Sequence, residues 1–569
     1  METYKNFDVA LYFTVRDTME FAKNEKFREK WDFLTKHIKI SHVYIETYRG
    51  DIWASDEELT EVKKFFNERK VKLSGGITTS KQTQEFWQLL CYSSDEDRKK
   101  LESAVRLTAK HFDRIIFDDF YFTDCRCKKC AEAKGSRTFR EYRMDLKNDV
   151  SKNIIMKTAK EVNPSCHVII KFPNWYPYHS FTGYNPKNER NIFDSIYTGT
   201  ETRDHKMTQQ NIPRYMSYSI MRYFENAAPG RNGGGWYDAF DCYTHLDYTE
   251  QGIFTVLSGA KEITLFCYSH IYDHFVPGMG YVFDRLDEDM SKLGKPYGIN
   301  AYIPFDSYGE EYITDYFGHM GLPIEPSPEY DDSRIMILTE SSAKDKDIVK
   351  KMEATLGKGG KVITTTGFWR EAAQKGAEPF RIKANVRKAD NYAHEIDICG
   401  FKNYFPSSDS ALYSDIFSPV NDGWNTVVGL DDSGVFPVLI KQKWGEGFLY
   451  LLNIPHSPAD ILKPPAEVLN KIREIACKQF GISIEGESMA SLFLYDNNTF
   501  VIHSFKDEPC EFNIVLDEVG KTLTDLLTDQ KHMPKLREAA MGWNRKTGTD
   551  KYVYSITVPP HSFRSFSID

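Results

Sequence analysis

Eight short apolar runs, each followed by a stretch of helical periodicity or by a polar loop, occupy the first 270 residues of this 569-residue chain. They fall at 8–15 (DVALYFTV), 42–47 (HVYIET), 72–78 (KLSGGIT), 114–117 (RIIF), 167–172 (HVIIKF), 193–199 (FDSIYTG), 235–240 (GWYDAF) and 262–268 (EITLFCY). Runs that are mostly apolar, without alternation, suit strands covered on both faces, as in a parallel sheet wrapped by helices. Helical patterns at 19–37, around Glu57, Val62 and Phe65, and at 96–112, 150–162 and 248–259 supply the crossovers. Eight such units in about 290 residues predict a TIM (β/α)8 barrel. A doubly wound open sheet would share the alternation, but no glycine-rich phosphate fingerprint follows an early strand.

A barrel gathers the residues at the C-terminal ends of its strands onto one rim, where barrel enzymes do their chemistry. Here those residues are Arg16, Asp17, Glu46, Asp118, Asp119, Lys171, Trp175, Glu201, Asp204, Asp238, Asp241 and His270. A rim so rich in carboxylates serves metal binding or acid/base and nucleophilic work. The His-x-His that an amidohydrolase metal site wants near the first strand is missing, so paired carboxylates point to glycoside hydrolysis. Asp118 and Asp119 are like-charged neighbours, an arrangement that is costly without a role, although a helix cap or strand-end ion pair would also account for them. Successive strand residues face opposite ways, which favours Asp119 as the one in the pocket. Glu201, in TGTETRD, is a second catalytic candidate whose bland reading is a pair with Arg203. Asp238 is a third; the glycines at 233–235 before it let backbone and ligand approach closely. Glu225 and Asp241 are weaker alternatives. Glu46, Asp118, Lys171, Trp175, Asp204, Trp236 and His270 are the expected sugar-binding residues. His270 and His274 suit hydrogen bonding to a sugar, or a solvated loop, better than metal.

Six residues after Asp119 a Cys125-x-Cys127-x2-Cys130 cluster begins, and Cys91 is placed to return as a fourth ligand. Thiolates this close suit tetrahedral zinc better than disulfides. Four cysteines would close the coordination sphere, so the metal would be structural; free thiols are the plain alternative. No organic cofactor is expected.

The formal charge of −9 comes without a basic stripe, which argues against nucleic acid. Aromatic residues crowd segments that read as loops, such as 172–178 (FPNWYPY), and flat amphipathic rings there suit a sugar. No run approaches the ~20 apolar residues that cross a membrane, and no signal peptide is visible. Unframed cysteines favour a reducing compartment. The chain reads as cytoplasmic as it stands, or as periplasmic or secreted if a leader has been removed.

Beyond 297 the pattern changes. Strands at 334–339 and 361–366 flank a helix at 344–356, and 448–453 returns to the same sheet before a helix at 468–481. This is an open α/β sheet of flavodoxin type, with a polar, aromatic insertion near 384–435. Short strands from 482 onward predict an antiparallel β-sandwich. The expected division is 1–296, 297–481 and 482–569.

The order Cys91, strand, carboxylate pair, Cys125-x-Cys127-x2-Cys130 resembles glycoside hydrolase family 42, the β-galactosidases, and so does the run 251–268 (QGIFTVLSGAKEITLFCY). The resemblance implies a barrel followed by a flavodoxin-like trimerisation domain and a small β domain, hence a homo-oligomer, with trimers in view. It implies a zinc-binding cysteine cluster and an oligosaccharide or glycoside substrate. The family ends its fourth strand in Asn-Glu, where this chain has Asp118 and Asp119, and its nucleophilic Glu after the seventh strand is matched only by Asp238 or Glu225. The chain therefore reads as a divergent, exo-acting glycoside hydrolase, and enzymes of α-linkages offer another arrangement in which Asp119 attacks and Glu201 or Asp204 protonates. The alternatives are a carbohydrate-binding protein on a degenerate barrel and a zinc-dependent hydrolase.

Overall fold

The computed structural model describes every residue except 1, 83–86, 209, 333–334, 374–379, 384–385, 395–403, 421–422 and 542–545. The chain forms two compact units, Met1–Ser291 and Lys292–Asp569.

In the first unit eight parallel strands close on themselves: β1 (Asp8–Phe13), β2 (His42–Arg49), β3 (Lys72–Ile77), β4 (Arg114–Phe117), β5 (His167–Phe172), β6 (Ser195–Gly199), β7 (Asn232–Asp238) and β8 (Glu262–Phe266). The last strand returns to the first, in register from Asp8 opposite Glu262 to Tyr12 opposite Phe266. The barrel is filled by Ala10, Tyr12, Tyr44, Ile116, Ile169, Tyr197 and Trp236, a core cluster drawn from six strands. The helical segment expected at 19–37 is two helices, α1 (Val15–Lys23) and α2 (Glu25–His37). Asn24 breaks them, its side chain accepting from the Phe27 N–H at 3.2 Å. Thr14 and Asp17 form a reciprocal capping box at the start of α1, which gives Asp17 a structural task. The segment at 150–162 is also composite: α3 (Phe139–Val150) passes into a π-helical turn at Ser151–Met156 before Lys157–Val162 resumes the α form.

The N-terminal end of the barrel is closed by Glu262, the first residue of β8. Its carboxylate meets His42 Nδ1 at 2.6 Å and accepts from the hydroxyls of Tyr44 (2.8 Å) and Tyr197. Arg114 lies 3.8 Å away. Burial alone would raise its pKa, but His42, Arg114 and the tyrosine hydrogen bond bring it down to about 2.

In the second unit, β9 (Ile299–Tyr302), β10 (Ile324–Ser327), β11 (Met336–Leu338), β12 (Lys361–Thr365) and β13 (Gly447–Leu452) run parallel in the order β10-β9-β11-β12-β13. This is the flavodoxin arrangement. Antiparallel strands Gly434–Trp444, Trp424–Asp431, Arg387–His394 and Phe405–Tyr413 extend it beyond β13. They include the described part of the insertion expected at 384–435; residues 384–385, 395–403 and 421–422 lie outside the described residues. In the loop after β9, Glu310 is half-buried, and its carboxylate accepts from the backbone N–H of Glu340 (2.9 Å) and Gly367 (2.7 Å) and from the Thr365 hydroxyl. Two further antiparallel sheets share a core of Ile484, Leu492, Phe500, Phe512, Ile556 and Phe566, which makes a sandwich. Among the described residues no helix is long and apolar enough to cross a membrane.

Candidate active site

β4 ends at Phe117, and the next two residues turn outward at the rim. Asp118 is buried and Asp119 keeps 14 % of its side chain exposed. Lys171, on β5, extends from the barrel interior with its ammonium 4.4 Å from the centre of the Trp236 ring. It donates to Asp119 Oδ2 at 2.8 Å and to Glu201 Oε1 at 2.6 Å. Those two contacts cap the separation of the two carboxylate oxygens at 5.4 Å. Glu201 lies two residues past β6, where Gly199 makes room: a Cβ there would stand 2.6 Å from Glu201 Oε2. That oxygen is buried and has no hydrogen-bond partner among the described residues.

The electrostatics follow from this packing. Burial raises the Asp119 pKa to about 8; Lys171 opposes the shift, while Asp118 and Glu201 reinforce it. Burial also raises Glu201, against Lys171 and Arg203. Asp118 shifts the other way, because Arg49 and Lys171 outweigh its burial and hold it below the usual carboxylate range. Arg49 donates to Asp118 Oδ2 at 2.7 Å and to both oxygens of Glu46, at 3.1 and 2.9 Å. Glu46 also accepts from Tyr12 (2.8 Å), the Val15 N–H (2.7 Å) and the Thr78 hydroxyl. Glu46 and Asp118 thus share one guanidinium, which helps keep Asp118 ionised, and Asp119 is the more easily protonated of the adjacent pair.

The structure brings together Asp118, Asp119, Lys171, Glu201 and Glu46, and puts the other expected residues in different settings. Asp238 lies at the end of β7 in a two-point pair with Arg203, at 2.9 and 2.6 Å. The ion pair with Arg203, the plain alternative for Glu201, is made by Asp238. Trp236 is 1 % exposed, stacked on Phe266 beneath the lysine, and forms part of the site's floor. Trp175 is half-buried, edge-on to Phe122 at 5.7 Å. Asp204 accepts from the Lys206 N–H at 2.9 Å and takes no part in the lysine bridge. His270 is exposed, its ring 4.9 Å from that of Phe240. Glu225 accepts from the Gly230 N–H at 2.8 Å just before β7, at the opposite end of that strand from the rim. Sequence reasoning missed Arg49 and Asn174. Arg49 stands three residues after Glu46 on the same strand, a usable signal. The Asn174 amide donates to the Glu201 carbonyl at 2.7 Å and leaves Oδ1 buried without a partner among the described residues.

Cys91, Cys125, Cys127 and Cys130 converge nearby, with all four sulfurs within 4.8 Å of one another. Cys91 Sγ lies 3.8 Å from Cys127 Sγ and 3.6 Å from Cys130 Sγ. Four sulfurs bound at zinc's usual distance would be ~3.8 Å apart, so the donor set fits a tetrahedral ion. The backbone N–H of Cys130 holds the Cys127 thiol down at about 7.

Comparison with known proteins adds the following. Residues 1–290 match the model of a probable glycosyl hydrolase catalytic domain, and 481–568 that of a probable glycosyl hydrolase C-terminal domain. Residues 294–457 match the second domain of an uncharacterized protein, SSO3021. That protein, from Saccharolobus solfataricus, is 26% identical over 391 residues, covering 61% of this chain and 64% of its own length, less than two thirds. Among solved structures, a catalytic mutant of Gan42B, a GH42 beta-galactosidase from G. stearothermophilus, superposes with a TM-score of 0.65 at 10% identity, covering 100% of this chain and 99% of that one. The beta-galactosidase of Bacillus circulans sp. alkalophilus gives 0.62 at 11% identity, with coverage of 100% and 99%. At such identities the likeness is one of fold, and it extends over the whole GH42-like layout.

Proposed function

Because the chain belongs to the probable glycosyl hydrolases, by a catalytic-domain match over 1–290, we propose that it cleaves the terminal bond of a glycoside or oligosaccharide with Asp119 and Glu201 as its carboxyl pair. The observation that carries this reading is the Lys171 ammonium held between the two carboxyls. Groups coupled so closely titrate as a pair and hold one proton between them near neutral pH. Asp119, raised to about 8, carries it, and Glu201 supplies the carboxylate. Asp119 gives its proton to the leaving oxygen as that oxygen's bond to the anomeric carbon breaks, and Glu201 bonds to the same carbon. Water, deprotonated by Asp119, then releases the sugar and restores both carboxyls. The two oxygens facing Lys171 lie within 5.4 Å of each other, which is compatible with the ~5–5.5 Å spacing of a retaining pair. Trp175, Tyr178 and Phe181, on the segment after β5, are partly exposed rings suited to a sugar face.

The test is turnover of a panel of α- and β-aryl glycosides and short oligosaccharides, with the anomer of the first product read by NMR. The expected result is hydrolysis with retention, terminal sugars released one at a time, and kcat/KM that falls above about pH 8 as Asp119 loses its proton. Sugar binding without turnover on the whole panel would favour a carbohydrate-binding protein instead.

The cysteine cluster is proposed to hold a structural zinc. Four sulfur ligands leave no open position for water, which sets it apart from a hydrolytic metal. Dialysis against a chelator is expected to remove about one zinc per chain and to lower Tm. Chelation that stopped turnover while leaving Tm unchanged would contradict this assignment.

A further inference from the structure

Behind the rim, Lys147 on α3 and Glu189 on α4 (Pro186–Ile192) form an ion pair with both side chains 0 % exposed, Nζ to Oε1 at 3.1 Å. Such a pair is a poor way to stabilise a fold. Desolvating two charges offsets most of their attraction, and apolar residues of similar volume usually do as well or better. Here the desolvation is incompletely compensated: neither Nζ nor Oε1 has a well-aligned hydrogen bond among the described residues. The surroundings of the ammonium show where its influence goes. Its nitrogen lies 3.4 Å from the centre of the Tyr184 ring and 4.4 Å from that of Tyr121. The Tyr184 hydroxyl donates to the Asp119 carbonyl at 2.6 Å. The Tyr121 backbone N–H donates to the Asp118 carbonyl at 3.0 Å, and its hydroxyl is 2.8 Å from Ser151 Oγ, at the first residue of the π-helical turn. Glu189 holds the other side, accepting from the Asn185 N–H at 2.8 Å, next in the chain to Tyr184. One buried side chain therefore packs on two tyrosine rings; Tyr184 is tied to the Asp119 backbone through its hydroxyl, and Tyr121 to the Asp118 backbone through its own N–H.

We propose that Lys147, Glu189 and Tyr184 are positioning residues that hold the turn after β4 so that the Asp119 carboxyl meets Lys171. The proposal rests on the glycosidase reading above, since it names the groups that aim that reading's acid. A cation against an aromatic face is attracted most strongly when water is excluded, as it is here. Lys147 and Glu189 act on Asp119 at one remove, through the Tyr184 hydroxyl and the Asp119 carbonyl.

The experiment compares wild type with the double variant Lys147→Met/Glu189→Leu and with Tyr184→Phe, on an aryl glycoside that wild type hydrolyses. Replacing both charges leaves no orphaned ion, so the double variant is expected to unfold at a temperature close to that of wild type. Its kcat is expected to fall at least about tenfold with KM little changed, because displacement of a reacting group is felt in the transition state. The alkaline limb of its pH–rate profile is expected to move, since in wild type Asp119 and Lys147, which burial lowers to about 8 against the pull of Glu189, titrate in the same range. Tyr184→Phe, which removes one hydroxyl, should shift kcat and that limb in the same direction by a smaller factor, and it keeps the test open if the double variant does not fold. Wild-type kcat and an unmoved limb in the folded variants would overturn the proposal and leave the glycosidase reading intact. Absence of turnover by wild type itself would overturn both.

Discussion

Asp119→Asn is expected to lower kcat by about 10²–10⁴-fold, the range for losing a positioned acid or base, and Glu201→Gln, which removes the nucleophile, by at least as much, with the fold retained in both. Each replacement keeps the shape of its side chain and the acceptor oxygen facing Lys171, so the contacts at 2.8 and 2.6 Å can persist while the proton chemistry does not. Asp119→Asn should also erase the fall in kcat/KM above about pH 8, since the group that titrates there is gone. Glu201→Gln should leave that limb in place but shifted downward in pH, because one of the two like charges that raise Asp119 is removed. Asp238→Asn is the control. Its carboxylate is committed to Arg203, so its loss should be felt more in KM and stability than in the pH profile. If Asp238→Asn were the variant that abolished turnover while Asp119→Asn stayed active, the assignment of the pair would be wrong. Steady-state kinetics from pH 4 to 10, with circular dichroism as the check on folding, separates these outcomes.

Glu262→Gln is expected to destabilise the protein by about 3–5 kcal/mol, the usual consequence of breaking a buried charged network from one side. The two carboxylate oxygens meet His42, Tyr44 and Tyr197, and an amide would point hydrogens at groups that themselves donate. Neighbouring backbone leaves little room to adjust: a Cβ on Gly234 of β7 would lie 2.1 Å from the Glu262 carbonyl. The same network gives an acid limb to stability. The folded pKa, about 2, lies below the ordinary 4.5, so the contribution is complete above about pH 4.5 and is lost as pH falls toward 2. Urea unfolding at pH 7 and at pH 3 should show the wild type losing part of its advantage over Glu262→Gln at the lower value. An equal gap at both values would mean that the charge on Glu262 is not what stabilises this end of the barrel.

The barrel was legible because burial on both faces of a parallel strand leaves a mark in one dimension: each run from 8–15 to 262–268 is largely apolar and overlaps an observed strand. The rim followed from the barrel, and with it Asp119, Lys171 and Glu201. What could not be read was pairing across strands. Arg49 and Asp118 are 69 residues apart, and Arg203 lies equally near in sequence to Glu201 and to other acids. It pairs with Asp238, 35 residues on, from a left-handed backbone (φ 53°), and local sequence shows neither. Asn24 shows the limit at the level of one helix. The apolar period runs on through it, and only the capping preference of asparagine hinted at the break.

The crevice of the flavodoxin-type sheet lies outside the carboxyl ends of β9, β11 and β12, where a doubly wound fold ordinarily leaves room for a phosphate or nucleotide. Here the donors that would greet such a ligand, the N–H groups of Glu340 and Gly367 and the Thr365 hydroxyl, already hold the carboxylate of Glu310. The chain has in effect built its own tenant into the nucleotide seat. An arriving anion would find those hydrogen bonds already given to a carboxyl of this chain.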